Sequence, residues 1–127
     1  MAPLAVNFAS PASADPDPAP PFIDHTQWVN YSNVSSLRVY PTASGRAAAG
    51  QLGKSQAQIA EAWGEVLAFS PNADTPGMRA QFVCHWRMAE FAEPGKGSWN
   101  LEPWRPVVDD NAMILAGCNP GGSEEPS

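Results

Sequence analysis

The chain is expected to fold as one small α+β domain, an N-terminal β-hairpin packed on two main helices with a short C-terminal helix and one disulfide. Three observations lead there. Over residues 23–40 β-branched and aromatic side chains dominate, and Leu37 and Val39 alternate with Arg38 and Tyr40, the period of a strand with two unlike faces. Ile59, Ala62, Trp63, Val66 and Leu67 then fall at helical spacing behind Ser55 and Gln58, a capping box opening an amphipathic helix. A second stripe, Met78, Phe82, Val83, Trp86 and Ala89, follows Thr75-Pro76, an N-cap with proline at the first helical position.

Length bounds the rest. The sequence has 127 residues, and its ends are poor in groups that pack, so the foldable part, residues 22–121, is about 100 residues with one modest core. Fourteen prolines are about twice the usual share and announce much irregular structure. No apolar run is long enough to span a membrane as a helix. The formal charge is −6, but Asp15, Asp17, Glu124 and Glu125 lie in the ends; without them the domain is close to neutral and lacks the footprint of a nucleic-acid binder.

Taken in order, residues 1–14 end in the Ala-Ser-Ala pattern of a signal-peptide cleavage site and are either the remnant of such a peptide or a plain Ala/Pro arm. Residues 15–21, Asp-Pro-Asp-Pro-Ala-Pro-Pro, form an extended linker. Two strands are expected over 23–31 and 36–40, joined by a loop over 32–35. Asn30 and Asn33 open formal glycosylation sequons, relevant only in a eukaryotic secretory pathway. Residues 41–54 are a loop or short helix. Ser70-Pro71 ends the first main helix. The second runs to about Phe91; Phe82, Cys84, Trp86 and Met88 also alternate as a strand would, and the Thr75 cap favours helix. Residues 93–97 are a turn, and 98–106 (SWNLEPWRP) an extended, tightly packed segment, since prolines at 103 and 106 bar a regular helix. Asp109 caps a last short helix carrying Met113, Ile114 and Leu115, with Gly117 as its terminator. A polar tail occupies 122–127.

Chemistry concentrates between Thr75 and Pro106, which hold three of the five tryptophans and four of the seven basic residues. His85 is the group there that can exchange protons near neutral pH. The alternatives are a half-buried histidine bonded to a backbone carbonyl, or a general acid or base. Glu102 and Arg105 are either a structural ion pair with the arginine stacked on indole, or a carboxylate and an anion-binding arginine facing His85 across a cleft, with Asn100 as an extra donor. Cys84 and Cys118 are too few for a zinc site. In an oxidising compartment they would join as a disulfide closing a 34-residue loop, worth roughly 3.5 to 4 kcal/mol in the chain-entropy model. A Cys84 nucleophile beside His85 is disfavoured, because adjacent helical residues point about 100° apart. There is no P-loop, no Gly-x-Ser-x-Gly elbow, no His-Glu-x-x-His and no dinucleotide fingerprint.

TPGMRAQFVCHW, GKGSWNLEPWRPVVDD and AGCNPG together resemble a family of small secreted actinobacterial proteins, mycobacterial ones included, that carry a domain of unknown function. The resemblance covers 24–121. Members usually begin with a complete signal peptide, whereas this chain starts inside what looks like one. It implies export and strengthens the Cys84–Cys118 pairing; it brings no activity. Asn100-Leu-Glu-Pro103 is also faintly similar to a phrase of HNH-type nucleases, which need metal-binding histidines this chain lacks.

The functional expectation is an exported extracellular or cell-envelope protein that binds an envelope polymer or a protein partner through Trp99, Asn100, Trp104 and Arg105, acting as a monomer with no cofactor, metal or nucleic acid. The competing expectation is a small secreted hydrolase or toxin-like enzyme using His85, Glu102 and Arg105.

Overall fold

The computed structural model describes residues 17–53 and 55–122. The expected signal-peptide remnant and most of the C-terminal tail lie outside these. Three strands and four α-helices follow one another in the order β1 (Ile23–Tyr31), β2 (Val34–Pro41), α1 (Ala43–Ala49), α2 (Gln56–Phe69), α3 (Pro76–Ala92), β3 (Trp99–Leu101) and α4 (Asp110–Leu115). They make an α+β domain whose sheet is antiparallel throughout, in the order β1-β2-β3.

The hairpin is tighter than its sequence suggested. Tyr31 pairs with Val34, leaving a two-residue turn in which Ser32 and Asn33 both take positive φ, 48° and 65°. Two left-handed residues match the twist of the flanking strands, so β2 starts at Val34 rather than Ser36. Leu37 and Val39 point into the core and are fully buried. Arg38 lies on the opposite face, yet it too is buried; alternation marks a change of face, and here both faces are covered.

Each helix begins where a side-chain oxygen can satisfy a free amide. Thr42, Ser55, Thr75 and Asp109 accept from the amides of Gly45, Gln58, Met78 and Ala112. α4 ends with Gly117 and Cys118 both at positive φ, and the Cys118 amide returns to the Met113 carbonyl at 3.0 Å. The strand alternative for residues 82–88 is thereby excluded, since they lie inside α3.

The residues expected only as an extended segment supply a third strand. Arg38 faces Asn100 and Val39 faces Trp99 across β2 and β3, so Trp99 and Leu101 reach the core beside Leu37 and Val39. Phe22, Phe82, Trp86, Trp99 and the expected core residue Trp63 then form a chain of rings with centroids 5.5 to 6.2 Å apart, the separation of favourable edge and tilted contacts. Glu65 on α2 anchors the start of β1, its Oε1 accepting from the amides of Phe22 and Ile23 at 2.8 Å each.

α1 passes close to that anchor. A Cβ built on Gly45 would stand 2.1 Å from the Phe22 carbonyl oxygen, which already accepts from the Thr42 amide. Gly45→Ala should therefore destabilise the fold by about 1–3 kcal/mol, in the range of overpacking, although alanine is the better helix former. Urea denaturation checks this, with Gly64→Ala as a control where nothing lies within 4 Å.

Candidate functional site

Two features stand side by side along α3: a buried polar seam against β3, and an open groove against α4.

The seam arises from a geometrical need. β3 is three residues long and bonded to β2 on one side only, which leaves the outward backbone groups of Asn100 and Glu102 inside the protein. Unmet, each would cost about 1–3 kcal/mol. Two polar side chains on successive turns of α3 meet them. Gln81 accepts from the Glu102 amide at 2.8 Å through Oε1 and donates to its carbonyl at 2.9 Å through Nε2, and His85 Nε2 donates to the Asn100 carbonyl at 3.0 Å. Their amide and imidazole do the work of a fourth strand.

His85 is 4% exposed, and because a carbonyl only accepts, its proton sits on Nε2. Burial drives its pKa down to about 4, against the opposing pull of the Asn100 carbonyl. The imidazole is consequently neutral at physiological pH.

Glu102 and Arg105 occupy the other face of β3. Glu102 Oε2 accepts from Ser36 Oγ at 2.5 Å and Oε1 from Arg105 Nε at 2.8 Å. Arg105 Nη1 donates to the carbonyls of Pro120 and Gly122 at 3.1 and 2.7 Å, and the guanidinium lies 4.4 Å from the Trp104 ring centroid. The residues expected to act together are thus separated in role: His85 bonds backbone, while Glu102 and Arg105 pair with each other. Among the expected contact residues Trp99, Asn100 and Arg105 are buried, and Trp104 is 41% exposed with its Nε1 donating to the Ser35 carbonyl at 3.2 Å.

Gln81, Ser36 and Arg38 were not singled out by sequence. Gln81 carried a signal, a polar residue four positions before His85 beside an apolar stripe. Arg38 carried none; it is buried, and its Nε and Nη1 lack a hydrogen-bond partner among the described residues.

The groove lies on the far side of α3. Cys84 and Cys118 are joined, with their Cα atoms 5.6 Å apart, and the bridge ties the end of α4 to the middle of α3. Above it are two cavities. One of about 400 Å³ is lined by Val83, Arg79, Arg87 and Met113 among others; the second, about 210 Å³, by His85, Ala89, Ala92, Glu93, Lys96 and Asn119 among others. Met88 and Ile114 border both and are 36% and 48% exposed. Among the described residues no carboxylate lies within ion-pair distance of Arg79 or Arg87, and no group of three or more His, Cys, Asp or Glu could hold a metal ion. No described helix is long and apolar enough to cross a membrane.

Residues 23–121 match the model of DUF2599, a protein family of unknown function. The chain belongs to that family. Relatives of this DUF2599 protein include the uncharacterized protein Rv0477 of Mycobacterium tuberculosis and the uncharacterized protein Mb0487 of Mycobacterium bovis, each 58% identical over 119 residues that cover 94% of this chain and 76% of the relative. The uncharacterized protein ML2452 of Mycobacterium leprae is 52% identical over 104 residues, covering 82% and 83%. No solved structure matches the chain.

The seam of this DUF2599 domain makes two predictions. Between pH 6.5 and 4 an unfolded histidine binds a proton that native His85 refuses, so its stabilising contribution is complete above pH 6.5 and lost as pH falls towards 4. Unfolding free energy should drop by roughly 2 kcal/mol from pH 7 to pH 5 on this account, and His85→Gln, which keeps a donor for Asn100 without titrating, should flatten that drop in paired urea titrations. Gln81→Leu strands the Glu102 amide, while its carbonyl keeps the Arg105 amide at 3.3 Å, and should cost about 1–3 kcal/mol, whereas Gln81→Glu at a pH that protonates it should recover part of the loss.

Proposed function

We propose that the protein is an exported binding module of the cell envelope or extracellular space, and that it engages its ligand through the α3–α4 groove. One observation carries the proposal: the polar groups of the dense central segment are committed to internal bonds, while beside them an apolar groove stands open, edged by arginines without carboxylate partners. Binding sites take this form, a concave apolar surface with a few polar groups that orient the ligand. The disulfide supports export, because such bonds persist in oxidising compartments.

The hydrolase alternative lacks comparable support. Of its three residues only His85 borders one of the two cavities, and a group with pKa about 4 bonded to backbone is poorly matched to proton transfer at neutral pH.

Native mass spectrometry on protein recovered from the producing cells tests the module. Wild type should be found in the envelope or culture fluid with its disulfide intact and carrying an added ligand mass. Ile114→Glu, at a half-exposed position in the groove, should lose that mass while keeping the fold. Reduced protein confined to the cytosol would overturn export; loss of the mass with Trp104→Ala but not with Ile114→Glu would move the contact to the Trp104 surface.

A further inference from the structure

Resting on the reading of the groove as the binding site, we propose that its ligand is a single-chain anionic amphiphile, a long-chain carboxylate whose head is held by Arg79 and Arg87 and whose alkyl chain lies over the disulfide towards Ala92. Shape argues first. The linings of the two cavities share Met88 and Ile114 and draw on α3 from Pro76 and Arg79 at one end to Ala92 and Glu93 at the other, so together they make a site elongated along the helix. The larger, about 400 Å³, has the size of a small-molecule site, and the smaller, about 210 Å³, adds to it.

A helical partner fits less well. One wall of the trough is α4, whose six residues extend roughly 9 Å, about the width of a single helix and too short to flank one lengthwise. An added peptide strand would need open backbone groups, and the nearby edge of β3 is already closed by Gln81 and His85. An alkyl chain needs neither.

Polarity argues next. The floor consists of Ala80, Val83, Met88, Ala89, Met113 and the disulfide, none of which offers a strong hydrogen-bonding group to a ligand. Glu93 and Lys96 line the smaller cavity beside His85 and Asn119, and the remaining charge borders the larger one. There Arg79 and Arg87 border the same space without a carboxylate in ion-pair range, with Asp110 as the one acid on that rim. In a chain of formal charge −6, two uncompensated guanidinium groups beside an apolar trough are a local attraction for an anion against the overall field. Arginine is well suited to grip a carboxylate in a fork. Lys96, at the far end, is engaged with Glu93 at 3.9 Å, so the anionic head is assigned to the arginine end.

The experiment uses the full, oxidised protein labelled with ¹³C at the methionine methyls and titrated with dodecanoate below its micellar concentration. Met88 and Met113 line the groove, and Met78 in the main core is the internal control. Dodecanoate should shift Met88 and Met113 saturably and leave Met78 in place. Arg79→Glu combined with Arg87→Glu should weaken binding at least about tenfold, the loss of one charge-assisted contact, and 1-dodecanol should bind wild type at least about tenfold more weakly for the same reason. Acetate should not shift either groove methionine.

No saturable shift, or a shift of Met78 together with the others, would overturn the proposal. Equal affinity for dodecanoate and dodecanol, unchanged in the arginine variant, would overturn the anionic head. If an acidic peptide displaces the ligand mass seen on native protein and dodecanoate does not, the groove remains the binding site and the amphiphile is wrong. If Ile114→Glu loses the native ligand mass but binds dodecanoate as wild type does, the amphiphile is overturned and the groove reading stands.

Discussion

The fold turns on the closure of one strand edge. Three residues of β3 share a ladder with β2 on one side and have no strand on the other. Burying such an edge is tolerable only if its amide and carbonyl groups find partners, and Gln81 and His85 are those partners. Once the edge is closed, Trp99 and Leu101 can be driven into the core, and Glu102 is delivered to the opposite face where Ser36 and Arg105 receive it. Arg105 in turn holds the segment from Pro120 to Gly122. A short strand thus connects the hydrophobic core, the polar face and the C-terminal end.

α3 carries this arrangement because it presents three faces at once. Met78, Phe82, Trp86 and Ala89 enter the core; Gln81 and His85 face β3; Ala80, Val83, Arg87 and Met88 face the groove. Cys84 stands between the last two and clamps α4 in place. The division separates the packed and bonded faces from the open one. His85, Glu102 and Cys84 are bonded to backbone, paired or oxidised, while Arg79 and Arg87 border the apolar cavity without a carboxylate partner among the described residues. A neutral His85 suits this role, since Glu102, the carboxylate that acts on it, is already paired with Arg105.

Much of the architecture was legible in the linear sequence. The four caps, Thr42 excepted, and the apolar stripes of α2 and α3 stood out because both are local: a cap acts across three residues and a stripe repeats every turn. The Cys84–Cys118 bond followed from the chemistry of two cysteines once an oxidising compartment is expected. β3 was visible only as an extended segment, because three residues carry no periodicity and a strand is defined by its partner. The same applied to the hairpin turn, whose length depends on the register of Tyr31 with Val34.

The sequence by itself therefore determined the starts of α2, α3 and α4, the presence of a hairpin, the disulfide and the family, all of which depend on residues near in the chain or on residue identity alone. Tertiary structure decided which of two roles each polar residue takes. His85 beside Gln81, or Glu102 beside Arg105, reads equally as catalytic machinery or as scaffold until it is known whether a backbone carbonyl, a second side chain or open space lies within hydrogen-bond reach. Those neighbours come from 15 to 66 positions away, and only packing brings them within 3 Å.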